Sequence, residues 1–599
     1  MRVCDIWTGD KSITDQAENG GVAPTANPSA QTAGTTDLRH LEPLDIRRSD
    51  SGFYAGFATQ VAVPAKIIVS AFLVWAIAFP TIASETLAAA NATVIATFAG
   101  WYIYVVAAMV LAAIVLAVVP QFGRQTIGLP GEKPEFGRVS WFAMLFGAGI
   151  GIGLLTYSTG EPMSHFANNP AIIAGEVEGG TAEAVRSAYK YSFLHWGLSA
   201  WAIYAMVGLA VGYVSYRRGL PLTIRSGLAP LFGKALSGIL GHIIDIVAVV
   251  ATILGIAVTL SIGVNQFIAG LHRVFGGEWL LNADETSSPA AIIMVLLIIV
   301  GASTVSALSG VGKGIKWLSN INLLLSVVLL VTFLAFGDVL FGLQLLGTGL
   351  VDYLLALPEL SVTLLPHDGT VMGDALAQWQ LDWTVFYWAW WIAFAPFVGM
   401  FIARVSRGRT VREYLLGVVI APMLMCFVWF VVVGGTAIDL ELSGAAQGTI
   451  LGSTLAQQLY ATLAVMFGPV VTLIMSVLVL ILLLTYVITS ADSAILIVNT
   501  INAAGQEHDN TPRHIIFWGV AIAMVVGSLL IIGGIDAIST AMIIGALPFS
   551  LVAGLMAVAV VKAIVFDVIR ERRGISTTIE AGPPPAAPPV SPEIAATAA

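Results

Sequence analysis

Between residues 61 and 565 the chain repeatedly runs through about 20 consecutive residues that are almost wholly apolar, separated by short polar connections. A helix rises 1.5 Å per residue, so about 20 residues cross the ~30 Å hydrocarbon core of a bilayer. Inside that core only helices and closed barrels satisfy their own backbone groups. Twelve stretches qualify, near 61–84, 102–119, 139–158, 192–214, 241–271, 290–311, 316–337, 383–405, 413–435, 466–489, 514–534 and 540–565. The expected fold is therefore an all-α polytopic membrane protein with 12 transmembrane helices. Composition agrees: 57% of the 599 residues are hydrophobic and 11% charged, against about 25% charged in soluble domains. An ordinary soluble enzyme is excluded, and a net charge of −9 argues against nucleic acid as a partner. Cys4 and Cys426 lie in a polar tail and an apolar run and imply no disulfide framework.

Residues 1–60 are polar and carry no apolar run resembling a secretory signal, so they read as a cytoplasmic amino-terminal tail. With both termini cytoplasmic, all but Arg186, Lys190 and Arg273 of the 27 basic residues fall on the inner side or at its helix ends, as the positive-inside rule requires. Residues 566–599 form the second cytoplasmic tail, Pro/Ala-rich from about 574. The stretch 338–360, apolar but interrupted by glycines, Asp352 and Pro358, reads as an amphipathic interfacial helix; a short re-entrant or core helix is the alternative.

Four features carry chemistry. Gly147-Ala148-Gly149-Ile150-Gly151-Ile152-Gly153 lies within the third span. No strand precedes it, so a dinucleotide loop is out of context. Close helix packing through small residues is one reading. The other is local unwinding, which frees carbonyls for a cation or solute, and four glycines in seven residues favour it. In the fourth span, Trp196, Trp201 and Tyr204 could flank one cavity from different heights, although single tryptophans are commonly interfacial anchors. The run Asp382-Trp383-Thr384-Val385-Phe386-Tyr387-Trp388-Ala389-Trp390-Trp391 opens the eighth span, and Pro396 beyond it is a natural place for a helix break. Clustered rings attract a trimethylammonium group without needing a carboxylate. Finally, Thr489-Ser490-Ala491-Asp492-Ser493 places adjacent hydroxyls near a membrane acid, a hard-oxygen set suited to a small cation unless the hydroxyls back-bond to their own helix. Thr252 is a weaker candidate of the same kind. Asp245 and His195 are either proton relays or satisfied polar groups. No zinc spacing, phosphate-binding loop or nucleophile elbow appears in a fitting context, so no enzyme is expected.

The tract Asp382–Trp391, with Gly149–Gly153, Trp196/Trp201/Tyr204, Phe397–Phe401 and Thr489–Ser493 in the same order, resembles the signature of the betaine/carnitine/choline transporter family, and within it the sodium-coupled glycine-betaine permeases of actinobacteria. The resemblance covers about residues 57–565. It implies a LeuT-like fold: two peripheral spans, then two inverted five-helix repeats, spans 3–7 (about 139–337) and 8–12 (about 383–565), with the transport domain at 61–565. It also implies a substrate site at Trp196, Trp201, Tyr204 and Trp391, lined by Phe394, Gly149, Gly151 and Gly153. One sodium is then expected at Gly147, Ile150, Tyr486, Thr489 and Ser490, and a second at Thr252 and Phe397. A homotrimer in the cell membrane is implied as well.

Three positions depart from the family pattern. Ile256 stands where a second threonine of the second sodium site is expected, Phe394 replaces a tryptophan, and the carboxy tail carries only Lys562, Arg570, Arg572 and Arg573 near the membrane. The last gives no support to osmotic activation through a long basic tail. The glycine stretch holds no carboxylate to balance a cationic solute. The expected function is therefore sodium-coupled uptake of a zwitterionic compatible solute, glycine betaine first. The alternatives are an ectoine- or proline-type symporter, a sodium-independent exchanger and, from another class, an osmosensor or channel-like protein.

Overall fold

A computed structural model describes residues 43–149, 151–308, 314–506 and 512–579. Setting aside single-turn and irregular helices, the elements are α1 (Thr59–Ala78), α2 (Pro80–Val118), α3 (Arg138–Gly149), α4 (Ile152–Ala167), α5 (Ala184–Trp196) and α6 (Leu198–Arg218). There follow α7 (Ile239–Phe275), α8 (Pro289–Leu308), α9 (Gly314–Phe336), α10 (Val339–Leu360), α11 (Val371–Gln380) and α12 (Phe386–Val405). The chain ends with α13 (Val411–Trp429), α14 (Gly435–Leu442), α15 (Gln458–Met466), α16 (Pro469–Asn502) and α17 (Pro512–Arg572). Among the described residues there is no strand, only isolated bridges.

Among the described residues, eleven helices are long and apolar enough to cross a membrane. Large apolar side chains such as Val74, Leu111, Leu297, Leu324, Leu355 and Val470 point outward over half exposed or nearly so. A patch of that extent is tolerated only against lipid or a partner. The chain is a multi-pass integral membrane protein.

The third span is interrupted where the glycines stand. α3 stops at Gly149 and α4 begins at Ile152, with Gly151 fully extended (φ −159°, ψ −167°). Each half is shorter than a bilayer crossing, which is why neither counts among the eleven. At the other end of the chain, α17 carries two non-helical residues, Gly533 and Gly534 (φ +66°), between the two expected last spans.

Three local expectations need correction. Residues 85–101 are not a polar loop: α2 starts at Pro80, which suits a first helical position, and its alanine-rich first half has high helix propensity. The fourth span is not one regular helix, because Gly197 (φ −89°, ψ −144°) separates α5 from α6. Pro396 does not break its helix. The irregularity lies upstream, in a π-helical turn at Leu381–Val385. α12 runs continuously through Pro396, and its backbone is closely approached on either side: a Cβ on Gly255 would lie 3.1 Å from Ala393, and one on Gly399 2.8 Å from Val207. α16, unlike the third span, runs unbroken past Tyr486–Ser490.

The segment 338–360 forms one unbroken helix, α10. Its buried side is a narrow stripe of Gly342, Leu345, Gly349, Tyr353 and Leu357, spaced three or four apart. That stripe sits against α5, where Arg186 pairs with Asp352 (2.6 Å) and the Tyr353 hydroxyl accepts the Leu198 amide (2.8 Å).

Candidate functional site

Trp196, Trp201, Tyr204 and Trp391 form one chain of ring contacts across the fourth and eighth spans. Trp196 and Trp391 have ring centroids 5.0 Å apart at 79°. Tyr204 meets Trp391 at 6.0 Å and 84°, and Trp201 meets Tyr204 at 5.8 Å and 76°. All four are buried. Successive rings standing nearly perpendicular are an attractive edge-to-face set, and they form walls rather than a stack. Trp196 closes α5 and Trp201 lies in the first turn of α6, on either side of the break at Gly197.

The interrupted third span closes this box. A Cβ on Gly153 would stand 3.0 Å from Trp390 and 3.3 Å from Trp196, so the glycine admits both indoles against the backbone. Gly151 lies in the extended break, and Gly149 and Gly147 occupy the last turn of α3. Ile150 lies outside the described residues. Phe394, one turn beyond Trp391 on α12, is edge-on to Phe397 at 5.2 Å. The Trp201 indole N–H is buried and has no hydrogen-bond partner among the described residues, an unmet donor of the kind a solute oxygen satisfies.

The cation candidates are less assembled. The Thr489 hydroxyl donates to its own helix, to Thr485 O (2.9 Å) or Tyr486 O (3.1 Å), and accepts from Asn322 Nδ2 (3.1 Å). Ser490 is half-buried, with no hydrogen bond among the described residues. The Tyr486 hydroxyl pairs with Ser326 (2.7 Å). Asp492 accepts from Ser306 (2.7 Å). This region nonetheless lies next to the third-span break: a Cβ on Gly263 would meet both Val487 and Ile152. Thr252 is buried and back-bonds to Ala248 O (2.7 Å). Ile256, one turn on, is buried and offers no oxygen. α7 touches α12 at Gly255 and Phe394, one turn from Thr252 and from Phe397.

A cluster the sequence reading passed over stands directly behind the box. Glu161 of α4 is fully buried, and its Oε2 accepts from the Trp196 indole (2.6 Å) and the Tyr387 hydroxyl (2.5 Å). Its Oε1 lies 2.7 Å from His195 Nδ1 and 3.3 Å from His165 Nε2. His195 Nε2 in turn meets the Thr384 hydroxyl (3.1 Å), and its backbone carbonyl accepts from the Trp391 indole (3.0 Å). One carboxylate thus ties α4, α5 and α12 together. The available signal was the Glu161/His165 pair at i, i+4, but placing the end of the third span at 158 left it in a loop. His195 is a satisfied polar group, as is Asp245, which pairs with Arg225 (2.6 Å) and accepts from Thr223 (3.2 Å).

Comparison with known proteins gives this arrangement its context. Residues 60–568 match the model of the betaine/carnitine/choline family transporters. The chain belongs to that family. It is 37% identical over 514 residues to the glycine betaine transporter OpuD of Bacillus subtilis, covering 85% of this chain and 94% of that one. It is 38% identical over 471 residues to the osmo-independent choline transporter BetT1 of Acinetobacter baylyi (78% and 85% covered), and 38% over 455 residues to the high-affinity choline transport protein of Escherichia coli K12 (76% and 64%). This betaine/carnitine/choline family member is a solute transporter and not an enzyme.

Proposed function

We propose that the chain takes up a zwitterionic compatible solute, glycine betaine first, together with sodium, by alternating access. The observation that carries this reading is the ring box of Trp196, Trp201, Tyr204 and Trp391 beside the broken third span, with an unpartnered indole donor on Trp201. Rings hold a trimethylammonium group, each desolvated contact contributing about 2 kcal/mol. The Trp201 N–H would donate to the solute's carboxylate.

In this reading there are twelve spans: the eleven apolar helices less α10 as an interfacial helix, plus the interrupted third span, plus the second half of α17. Spans 3–7 and 8–12 are two inverted repeats, each beginning with the helix that faces the solute. Sodium is carried at Gly147, Ile150, Tyr486, Thr489 and Ser490, with Thr252 and Phe397 as a second site in which Ile256 withholds an oxygen. Both termini are cytoplasmic, the protein resides in the cell membrane, and the exposed side of α10 joins three copies. One sodium moving down about 100 mV supplies ~2.3 kcal/mol. A tenfold sodium gradient adds ~1.4 kcal/mol, and together they sustain a solute gradient of a few hundredfold, at ~1.4 kcal/mol per tenfold step.

A second reading, transport of a cation of the choline type, is favoured by one observation: the Glu161 carboxylate lies against the Trp196 indole. The deciding experiment is uptake of labelled glycine betaine, choline and ectoine into proteoliposomes with and without an inward sodium gradient. Sodium-dependent accumulation of betaine above choline supports the first reading. Choline above betaine replaces it with the second, and uptake that ignores sodium but needs internal solute makes the protein an exchanger.

A further inference from the structure

We infer that Glu161, His165 and His195 form a binding site for a divalent transition metal of zinc's kind, directly behind the ring box. Glu161 and His165 stand at i and i+4 on α4, so both side chains leave one face of that helix. His195 comes in from the last turn of α5. All three are 0% exposed, and one ligand atom from each lies within 4.8 Å of the other two.

The donor set matches the chemistry. Two imidazoles and one carboxylate are the protein ligands of a common type of zinc centre, which holds its ion about 2.0–2.2 Å from each. Tetrahedral geometry then sets neighbouring ligand atoms roughly 3.4 Å apart. Glu161 Oε1 stands 2.7 Å from His195 Nδ1 and 3.3 Å from His165 Nε2, close to that spacing. The two imidazole rings have centroids 5.7 Å apart at 52°, and each presents a nitrogen to the same oxygen.

Hydrogen bonding alone does not account for His165. Its Nδ1 is buried without a partner among the described residues, and its Nε2 has the long contact with Glu161. Buried polar atoms are ordinarily paired. The other two ligands are held from behind, as metal ligands are. Glu161 Oε2 accepts from Trp196 and Tyr387, which leaves Oε1 for the ion. His195 Nε2 meets the Thr384 hydroxyl, which turns Nδ1 toward it. Imidazole with carboxylate suits Zn²⁺, Co²⁺ or Ni²⁺ rather than Mg²⁺, which prefers a shell of oxygens.

The way in is from the outer side. With both termini inside, α4 runs outward, and His165 lies two residues before its end at Ala167. The half-buried Trp383 ring covers His165 at 4.4 Å and 60°, and Asp382 beside it is exposed. An ion on Oε1 adds two positive charges to a carboxylate that is hydrogen-bonded to the Trp196 wall of the box. Occupation therefore opposes an ammonium group in the box.

The metal site stands without the transport reading; its effect on uptake rests on that reading. Full-length protein without a polyhistidine tag, in lipid nanodiscs, is dialysed against Zn²⁺ and its metal content measured. The expected result is about one equivalent retained per chain, lost in His165→Gln and regained in His165→Cys, whose thiolate is itself a zinc ligand. Mg²⁺ is expected not to be retained. No zinc on the unaltered chain, equal retention by His165→Gln, or Mg²⁺ held as firmly each overturns the site. If His165→Gln does not fold, the visible spectrum of Co²⁺ on the unaltered chain decides: bands of a four-coordinate nitrogen–oxygen centre support the site, and six-coordinate bands overturn it. In proteoliposomes, external Zn²⁺ is expected to slow glycine betaine uptake at least threefold, and His165→Gln to lose that inhibition. Zinc bound without effect on uptake keeps the site and overturns its opposition to the box. Zinc bound by a chain that carries no betaine defeats the transport reading alone.

Discussion

The Trp196 indole donates to Glu161 Oε2 at 2.6 Å, so one wall of the ring box is fixed by a carboxylate that no part of the box itself supplies. The same oxygen accepts the Tyr387 hydroxyl, and the other faces His195. The orientation of Trp196 therefore depends on three helices at once.

Glu161→Gln keeps the volume but removes the charge, and one of the groups now bonded to the carboxylate loses its acceptor. Charge-assisted hydrogen bonds contribute about 1.5–3 kcal/mol. The KM for glycine betaine is expected to rise roughly tenfold or more, with the maximal rate per molecule less affected, and Glu161→Asp is expected to restore little because its carboxyl is one methylene short. Uptake kinetics normalised to protein amount check this. An unchanged KM would remove Glu161 from the positioning of the box, and a larger loss for choline than for betaine would mark it as a counter-charge.

Trp391 touches both Trp196 and Tyr204 and links the two halves of the box. Trp391→Leu is expected to raise the betaine KM about tenfold or more, the scale of one desolvated cation–π contact, without loss of folded protein in size-exclusion chromatography. Equal affinity in the variant would place the ammonium group elsewhere.

Thr489 holds its hydroxyl against its own helix and Asn322. A cation that recruits it must displace those bonds. Thr489→Ala is expected to raise the sodium concentration for half-maximal uptake several-fold, and Thr489→Ser to recover most of it. An unaltered sodium response in the alanine variant would count against this cation site.

Ile256 stands one turn from Thr252 on the buried side of α7. Ile256→Thr adds a side-chain oxygen there, and the Hill coefficient for sodium is expected to rise toward 2 if a second ion is gained. No change in the coefficient would show that Thr252 and Phe397 do not make a site.

Asp245 pairs with Arg225 at 2.6 Å in a fully buried position. Asp245→Asn strands the guanidinium, and removing one partner of a buried pair costs about 3–5 kcal/mol. A lower melting temperature is expected, with sodium dependence of the surviving protein unchanged. A shifted sodium or pH dependence at normal stability would instead make Asp245 a relay.

Sequence alone determined the features set by local physics. Runs of about 20 apolar residues have few alternatives to spanning a bilayer, and four glycines in Gly147–Gly153 weaken a helix wherever they stand, so the interruption at Gly151 was legible. The concentration of aromatic residues in the fourth and eighth spans was legible too, as residue types, but that Trp196 and Tyr204 meet Trp391 was not. Tertiary structure decided what depends on neighbours. Pro396 was expected to break α12, but the helix runs on through it, and the irregularity lies in the π turn at Leu381–Val385. Glu161 lies 34 or more residues from His195, Trp196 and Tyr387 in sequence, and only folding brings one carboxylate within hydrogen-bond reach of all three. Apolar periodicity is a property of one helix. A hydrogen bond between helices is a property of their packing, and no single stretch of sequence contains it.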